Sequence, residues 1–201
     1  MNIDAFVLVG GRSTRFGSPK ALADLGGENL ATRAVETIRD AFPDMLTTLV
    51  AADDKQFDAT ALMAGTPMVF DIRPGFGAWS GLNTAIAYSR SEWTLVLACD
   101  QPCMPSDFLT LLAAQAEDSI EVVIPRQPDG RLQPLCALYR TRPTLAALES
   151  IFDGRSLLPA LAGFVETLVA RVIEPSEYLD LPNADRIFVN INTVSDLDAC
   201  G

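Results

Sequence analysis

Residues 3–20 read IDAFVLVGGRSTRFGSPK, an apolar run that passes directly into a glycine-rich and basic segment. From Ile3 to Val9 the only polar side chain is that of Asp4, and such a run is typical of a strand buried on both faces of a parallel sheet. In α/β domains the residues just beyond the carboxyl end of such a strand face the ligand. The stretch therefore predicts both the class of fold and the place to look for a site.

The rest of the chain alternates between short apolar runs and segments in which apolar residues recur at helical spacing. Strands are expected over residues 3–9, 47–52, 67–70, 93–99, 121–125, 135–140 and 187–191, and residues 165–173 are β-rich. Helices are expected over residues 30–42, 80–88, 105–116, 144–152 and 195–199, with a further turn or two over 157–161. Strands separated by helices require right-handed crossovers. We therefore expect one three-layer α/β domain over residues 1–201, with a mostly parallel sheet.

Composition excludes several classes of function. The chain has 201 residues, with 15 Lys and Arg against 26 Asp and Glu and a formal net charge of −11. Neither nucleic acid nor an anionic membrane surface is therefore expected as a partner. There is no histidine, which removes Ser-His-Asp and Cys-His catalysis and HExxH zinc hydrolysis. Hydrophobic residues make up 49% of the chain, enough to bury a full core.

Cysteine usage and targeting signals bear on where the protein works. Cys99, Cys103, Cys136 and Cys200 form no CxxC pair, so zinc ribbons, redox motifs and a disulfide framework are not expected. The first apolar run has no basic region ahead of it, unlike a secretory signal peptide. No apolar stretch reaches the roughly 18 residues that span a bilayer. We expect a soluble cytoplasmic protein.

The glycine-rich segment after the first apolar run matches neither GxGxxG nor GxxxxGKS/T, so it lacks both common nucleotide-binding fingerprints. Its glycines nevertheless let backbone amides approach an anion closely. Arg12 and Arg15 can each grip a phosphate through two hydrogen bonds, and Lys20 adds a movable point charge. The segment predicts a phosphate-binding loop, and the alternative is a surface turn with solvated basic residues.

Two carboxylates follow apolar strands in the sequence. In LVLACDQP (residues 95–102) the apolar run ends at Asp100, which suits a magnesium ion because that ion prefers one or two protein carboxylates together with phosphate oxygens. Asp71 follows a shorter run and can accept hydrogen bonds from ribose hydroxyls or a base edge. The alternative for both is a turn aspartate ahead of a proline. Trp79, a few residues further on, either stacks on a base or covers the apolar side of its own loop.

Polar residues late in the chain leave two interpretations open. Arg131 and Gln133 either contact a ligand or decorate a hairpin, since the PDG at residues 128–130 is a strong turn signal. Asn190 and Asn192 alternate along the expected last strand and therefore point to one face. There they either hydrogen-bond a ligand or close off the sheet.

Five segments occur in this order: GGRSTRFGSPKAL (10–22), DIRPGFGAWSGL (71–82), LACDQP (97–102), GRLQPLCALY (130–139) and FVNINTVSDL (188–197). Together they resemble the molybdenum cofactor guanylyltransferases, which belong to the nucleotidyltransferases of GT-A-like Rossmann architecture. The first and third segments are common to many nucleotidyltransferases and indicate a type of reaction. The fourth and fifth are more specific to enzymes that act on molybdopterin.

The resemblance implies transfer of GMP from GTP to molybdopterin, with or without its molybdenum, giving the guanine dinucleotide cofactor and pyrophosphate, with magnesium as cofactor. Carried over by position, the nucleotide would be bound by Leu8, Val9, Gly10, Gly11, Lys20, Asp71, Gly81 and Asp100. The pterin would lie near Arg131, Gln133, Pro134, Asn190 and Asn192. Catalysis would fall to Arg15, Lys20 and Asp100, with magnesium on Asp100. Transient contact with other proteins of molybdenum cofactor metabolism is expected.

The sequence departs from the family pattern at four places. Val9 is a mild change from the Ala of Leu-Ala-Gly-Gly, Pro19 replaces an Asp before the loop lysine, AWSG at residues 78–81 replaces Pro-Leu-Ala-Gly, and Ala51 stands where an Asn is expected. These departures bear on the choice of base more than on the chemistry. The competing functions are a nucleotidyltransferase that uses CTP or a sugar-phosphate acceptor, and a nucleotide-binding module without catalysis.

Overall fold

Seven strands form one sheet in the computed structural model, which describes residues 1–11, 19–55, 65–154, 158–193 and 195–197. The strands are β1 (Ile3–Leu8), β2 (Thr47–Ala51), β3 (Met68–Phe70), β4 (Trp93–Ala98), β5 (Val122–Pro125), β6 (Cys136–Arg140) and β7 (Ala170–Ile173). The α-helices are α1 (Leu30–Ala41), α2 (Ala78–Tyr88), α3 (Ser106–Ala114), α4 (Thr141–Gly154) and α5 (Leu161–Val165). Short 3-10 turns cover Lys20–Leu22, Pro175–Glu177 and Ala184–Arg186.

The order of the strands brings most of their carboxyl ends to one edge of the sheet. The order is β3-β2-β1-β4-β6-β5-β7. Strands β3, β2, β1 and β4 run parallel, β6 runs antiparallel to both β4 and β5, and β7 runs parallel to β5. The carboxyl ends of the six co-directional strands therefore meet the amino end of β6. We call this side of the sheet the carboxyl edge.

Helices cover both faces of the sheet. Helices α1 and α3 pack together on one face and α2 and α4 on the other. Successive residues of the central strands enter opposite clusters, because side chains alternate along a strand: Phe6 and Val96 join the cluster under α2, while Val7 and Leu97 join the one under α1. The predicted three-layer α/β fold with a mostly parallel sheet is confirmed.

The segment at residues 187–191 is not a strand, so the prediction of a last strand was wrong. Ile187 and Ile191 are fully buried, and the N–H of Ile191 donates to the carbonyl oxygen of Asp100 at 2.9 Å rather than to a sheet partner. The alternating apolar residues thus anchor an irregular loop to the core. Residues 195–197 are helical, and the end of the helix expected over 195–199 lies outside the described residues.

Two further boundaries differ from expectation. The β-rich segment 165–173 divides, because Val165 ends α5 and only Ala170–Ile173 is a strand. Helix α2 starts at Ala78, so Ser80 lies inside it instead of capping it; its hydroxyl accepts from the N–H of Phe76 at 3.0 Å. Within the described ranges, no helix combines the length and apolar character needed to cross a membrane.

Candidate active site

The side chains of Lys20 and Asp100, 80 positions apart in sequence, meet at the carboxyl edge. Lys20 Nζ donates to Asp100 Oδ2 at 2.9 Å and to Asn192 Oδ1 at 3.2 Å. The lysine and aspartate side chains are 17% and 29% exposed, so both are partly desolvated and still reachable by a ligand. The 3-10 turn that carries Lys20 is anchored by Ala21, which is buried in the core.

The sheet explains this meeting. Strands β1 and β4 are direct neighbours, and the N–H of Cys99 donates to the carbonyl oxygen of Leu8 at 3.2 Å. The loop after β1 and the residues after β4 therefore start side by side. The loop that contains Ile191 joins them through its hydrogen bond to the carbonyl of Asp100. Three separate segments of the chain thus converge on one ion pair.

Asp196 fixes the position of Asn192, and the sequence analysis did not identify it. Its Oδ2 accepts the backbone N–H of Asn192 at 2.7 Å and that of Thr193 at 2.8 Å. These hydrogen bonds, followed by smaller contributions that include the charge of Lys20, hold the pKa of Asp196 below its usual value. A Thr followed three residues later by an acid is a helix-capping pattern, and that spacing was the available signal.

Gly10 allows the end of β1 to approach β2 closely. The N–H of Gly10 lies 3.1 Å from the carbonyl oxygen of Val50, and a Cβ at this position would stand 2.9 Å from the backbone nitrogen of Ala52. The side chains of Leu8 and Val9 are buried in opposite hydrophobic clusters. Near this turn, contact with a ligand through Leu8 or Val9 is therefore restricted to backbone groups.

Gly81 serves helix packing. A Cβ on Gly81 would stand 3.1 Å from Leu8 Cδ1, so the glycine lets α2 lie directly against β1. A place in nucleotide binding for Gly81 stays a prediction, and the structure gives it this packing role.

Asp71 follows β3 and is held at the carboxyl edge by its N–H, which donates to the carbonyl oxygen of Ala51 at 3.0 Å. Burial raises the pKa of Asp71 to about 6; a hydrogen bond with Thr84 opposes the shift and the charge of Asp53 adds to it. An aspartate with this pKa changes charge in the range where enzymes work.

Trp79 is packed into the protein. Its ring contacts those of Phe152 and Phe164, and its Nε1 donates to the carbonyl oxygen of Pro159 at 3.0 Å. Of the two interpretations of Trp79, the structure supports packing and not stacking on a base.

A cleft of about 320 Å³ opens beside Asp100 at the carboxyl edge. Its polar lining comes from Asp100, Gln101, Gln133, Asn190 and Asn192, and its apolar wall includes Pro134, Leu135 and Leu161. We call it the amide cleft. Its size suits a small-molecule ligand. The two asparagines thus reach a common site although the strand expected to align them does not form.

Arg131 does not line the amide cleft. Its Nε donates to Asp129 Oδ2 at 2.7 Å and its Nη2 to Gln127 Oε1 at 3.3 Å, and the side chain is 71% exposed. These contacts place it in the 127–131 hairpin turn. Arg12 and Arg15, the other basic residues expected near phosphate, lie outside the described residues.

The acidic residues fit a metal that is bound chiefly by its substrate. Among the described residues, no group of three or more Asp, Glu, Cys or His side chains could hold a metal ion. Burial and the charge of Asp100 raise the pKa of Cys99 to about 12, so this thiol stays protonated near neutral pH when no metal is bound. Asp100 is the carboxylate beside Lys20, and one carboxylate with phosphate oxygens is a usual set for magnesium.

A first strand that ends in glycine and meets a carboxylate beyond the neighbouring strand, at the carboxyl edge of an α/β sheet, is the arrangement of a Rossmann-like ligand-binding domain. Residues 5–166 match the family model of the MobA-like NTP transferase domain, and the chain belongs to this family.

Relatives and a solved structure agree with this family. A protein named probable molybdenum cofactor guanylyltransferase from Geobacillus sp. strain WCH70 is 30% identical over 195 residues, covering 96% of this chain and 94% of that protein. The molybdenum cofactor guanylyltransferase of Desulfosudis oleivorans is 28% identical over 198 residues, with coverage of 98% and 93%. The crystal structure of molybdopterin-guanine dinucleotide biosynthesis protein A from Archaeoglobus fulgidus has a TM-score of 0.77 at 24% identity and covers 98% of this chain and 95% of that chain. The resemblance seen in the sequence is confirmed.

Proposed function

We propose that this protein transfers GMP from GTP to molybdopterin, giving the molybdopterin guanine dinucleotide and pyrophosphate. The observation that carries the proposal is the 2.9 Å contact between Lys20 Nζ and Asp100 Oδ2. The contact lies between the glycines that follow β1 and the amide cleft. There the cation could bind a polyphosphate directly, and the carboxylate could bind it through a metal ion. The choice of guanine and of molybdopterin follows the names of the relatives.

The two substrates would occupy the two sides of Asp100. The turn at Gly10 and the carboxylate of Asp71 lie on the β1–β2–β3 side, which suits the nucleotide. The amide cleft lies on the β4–β6 side, which suits the acceptor. In this arrangement the α-phosphate of GTP and the terminal phosphate of molybdopterin meet at Asp100.

The reaction needs no strong general base. A terminal phosphate oxygen of molybdopterin attacks the α-phosphorus of GTP, and the bond from that phosphorus to the bridging oxygen of the β-phosphate breaks. The electron pair leaves with pyrophosphate. A phosphate monoester, with a second pKa of about 6, is already largely ionised near neutral pH. This chemistry suits a chain without histidine.

The protein's own groups would supply position and charge. Lys20 neutralises negative charge on the polyphosphate, and the backbone at Gly10 and Gly11 orients it. Arg15 is proposed to share the work of Lys20. Asp100 would hold magnesium, which when bound withdraws charge from the phosphates. The cytoplasm, where GTP is available, is the proposed location, with brief contacts to proteins that supply or receive the cofactor.

The test measures pyrophosphate release from GTP, CTP and ATP with magnesium, using molybdopterin or a sugar 1-phosphate as acceptor. We expect release only with GTP and molybdopterin, and we expect GTP to raise the melting temperature more than CTP does. Release with CTP in place of GTP, or with the sugar phosphate, would assign the protein to a rival transferase. Stabilisation by GTP without any pyrophosphate release would make it a binding module.

A further inference from the structure

Gln101 carries a buried oxygen that lacks a hydrogen-bond partner, in the wall of the amide cleft. The residue is 6% exposed. Its Nε2 donates to Gln133 Oε1 at 3.3 Å, while its Oε1 is buried and accepts no hydrogen bond from any described residue. A buried amide oxygen left in this state costs free energy unless something donates to it. Gln101 lines the cleft, so rotation of its side-chain amide would bring this oxygen to a donor on a bound ligand.

The fold holds the two glutamines as a pair. Gln101 follows Asp100 beyond β4, and Gln133 precedes β6, the neighbour of β4 in the sheet. The N–H of Gln133 donates to the carbonyl oxygen of Pro125 at 3.1 Å, which fixes its backbone. Gln133 Oε1 accepts from Gln101, so the Nε2 of Gln133 stays available as a donor, and both residues line the cleft. The pair therefore has one acceptor and one donor for a ligand.

One acceptor beside one donor is complementary to a lactam, a ring amide in which an N–H adjoins a C=O. Exchanging the nitrogen and oxygen ends of both side-chain amides moves the acceptor to Gln133 and the donor to Gln101. The pair stays complementary to the same lactam. The same ligand edge is therefore matched in either orientation of the two amides.

We propose that Gln101 determines specificity for the acceptor substrate: with Gln133, it binds the lactam edge of the pterin ring. The inference rests on the proposed function, because pterin is the acceptor's ring system. Guanine carries the same kind of edge. The amide cleft lies on the β4–β6 side of Asp100, away from Gly10 and Asp71, and this position favours the acceptor over the base of the nucleotide.

The test compares wild type with Gln101→Leu and Gln101→Met, two apolar replacements of similar size. We expect kcat/KM for molybdopterin to fall about tenfold or more, the effect of losing one hydrogen bond in a desolvated site, with KM for GTP changed less than about twofold. Asn83→Leu is the matched control. Asn83 is another buried amide with an unpartnered atom within the described chain, and it does not line the cleft. Its kinetic constants should stay near those of wild type.

Three outcomes separate the possibilities. Unchanged kinetics in folded Gln101 variants would overturn the inference and leave the proposed function standing. A rise in KM for GTP instead of molybdopterin would assign the amide pair to guanine and also overturn it. Wild type inactive with molybdopterin would defeat the proposed function. A fluorescence titration with free pterin then decides the inference, which requires binding that is weakened by Gln101→Leu and not by Asn83→Leu.

Discussion

The two sides of Asp100 present a ligand with different groups. On the β1–β2–β3 side, all strands run parallel and the turn at Gly10 lies so close to β2 that no Cβ fits. On the β4–β6 side, β6 runs the opposite way and the cleft is lined by side-chain amides. Backbone and carboxylate groups dominate one side, and amides that both donate and accept dominate the other.

This difference matches the chemistry of the two proposed ligands. A polyphosphate needs donors and cations and is similar in every nucleotide, so backbone groups suffice for it. A ring acceptor has a pattern of donors and acceptors that must be recognised, and side-chain amides can match such a pattern. Lys20 and Asp100 lie at the border: Asp100 lines the amide cleft, and Lys20 ends the glycine-rich segment after β1 and donates to Asn192.

The largest effect is expected at the border. Asp100→Ala should lower turnover a hundredfold or more, because it removes the carboxylate proposed to hold magnesium. Lys20→Met should cause a loss of similar size. Steady-state pyrophosphate release measures both effects, with circular dichroism to show that the variants fold.

The chain offers a matched control for the lysine. It contains two lysines, Lys20 and Lys55, and the latter is exposed. Lys55→Met should retain activity. A fully active and folded Asp100→Ala protein would remove the metal assignment.

The nucleotide side should respond to Gly10→Ala. The added Cβ would collide with the backbone nitrogen of Ala52, which cannot move as a flexible side chain does. We expect a loss of about 1–3 kcal/mol in the free energy of unfolding, measured by urea denaturation, together with weaker stabilisation by GTP. The control is Gly163→Ala in α5, where a Cβ meets nothing within 4 Å. If both substitutions leave stability unchanged, the close approach of β1 to β2 is not required.

Asp71 should give stability a pH dependence of known sign. Its pKa is raised from 3.8 to about 6 by burial, so between these values the folded protein keeps a proton that the unfolded chain has released. The stability it contributes is complete below about pH 4 and is lost as the pH rises through about 6. The melting temperature of Asp71→Asn minus that of wild type should therefore increase as the pH rises from about 4 to about 7.

Asp4, at the other end of β1, provides a control of opposite sign. Burial acts to raise its pKa, but hydrogen bonds from the backbone of Arg90 and from Ser91 and Ser89 outweigh burial and lower it. The stability that ionised Asp4 contributes is present above the pKa of the unfolded state and is lost as the pH falls through its lower folded pKa. Asp4→Asn should therefore lower the melting temperature most near neutral pH. Equal pH profiles for the two variants would contradict both assignments.

The smallest effect is expected on the acceptor side at Arg131. Because its side chain is exposed and bonded to Asp129, Arg131→Ala should change KM for molybdopterin by about twofold or less. A larger rise would mean that the hairpin moves its arginine into the amide cleft when substrate binds. Steady-state kinetics at varied molybdopterin concentrations distinguishes these results.

The elements whose own residues form a clear local pattern were predicted correctly. The apolar runs that became β1 and β4 are buried on both faces, so no alternation obscured them. From these two runs alone, Asp100 and the glycine-rich loop were expected at one edge of the sheet. The contact between Lys20 and Asp100 bears out that placement.

The parts that depend on distant contacts were missed. Residues 187–191 alternate like a strand, yet Ile187 and Ile191 are buried in two hydrophobic clusters, and the N–H of Ile191 donates to Asp100 and not to a strand. Nothing in the sequence around Gln101 indicated a role in a site. Its partner Gln133 is 32 positions away and comes into contact with it because β6 lies beside β4. The capping role of Asp196 was readable from its spacing and was overlooked.

The reversed direction of β6 has an evolutionary consequence. The segment that carries Gln133 enters β6 from a hairpin whose turn closes through the N–H of Gln127 and the carbonyl oxygen of Arg131. Exposed loop tips such as this hairpin turn accept insertions and deletions more readily than the strands that they connect. Selection can therefore lengthen or reshape this hairpin without disturbing the turn at Gly10. A lineage could exchange one acceptor for another while it keeps the residues proposed to bind the nucleotide.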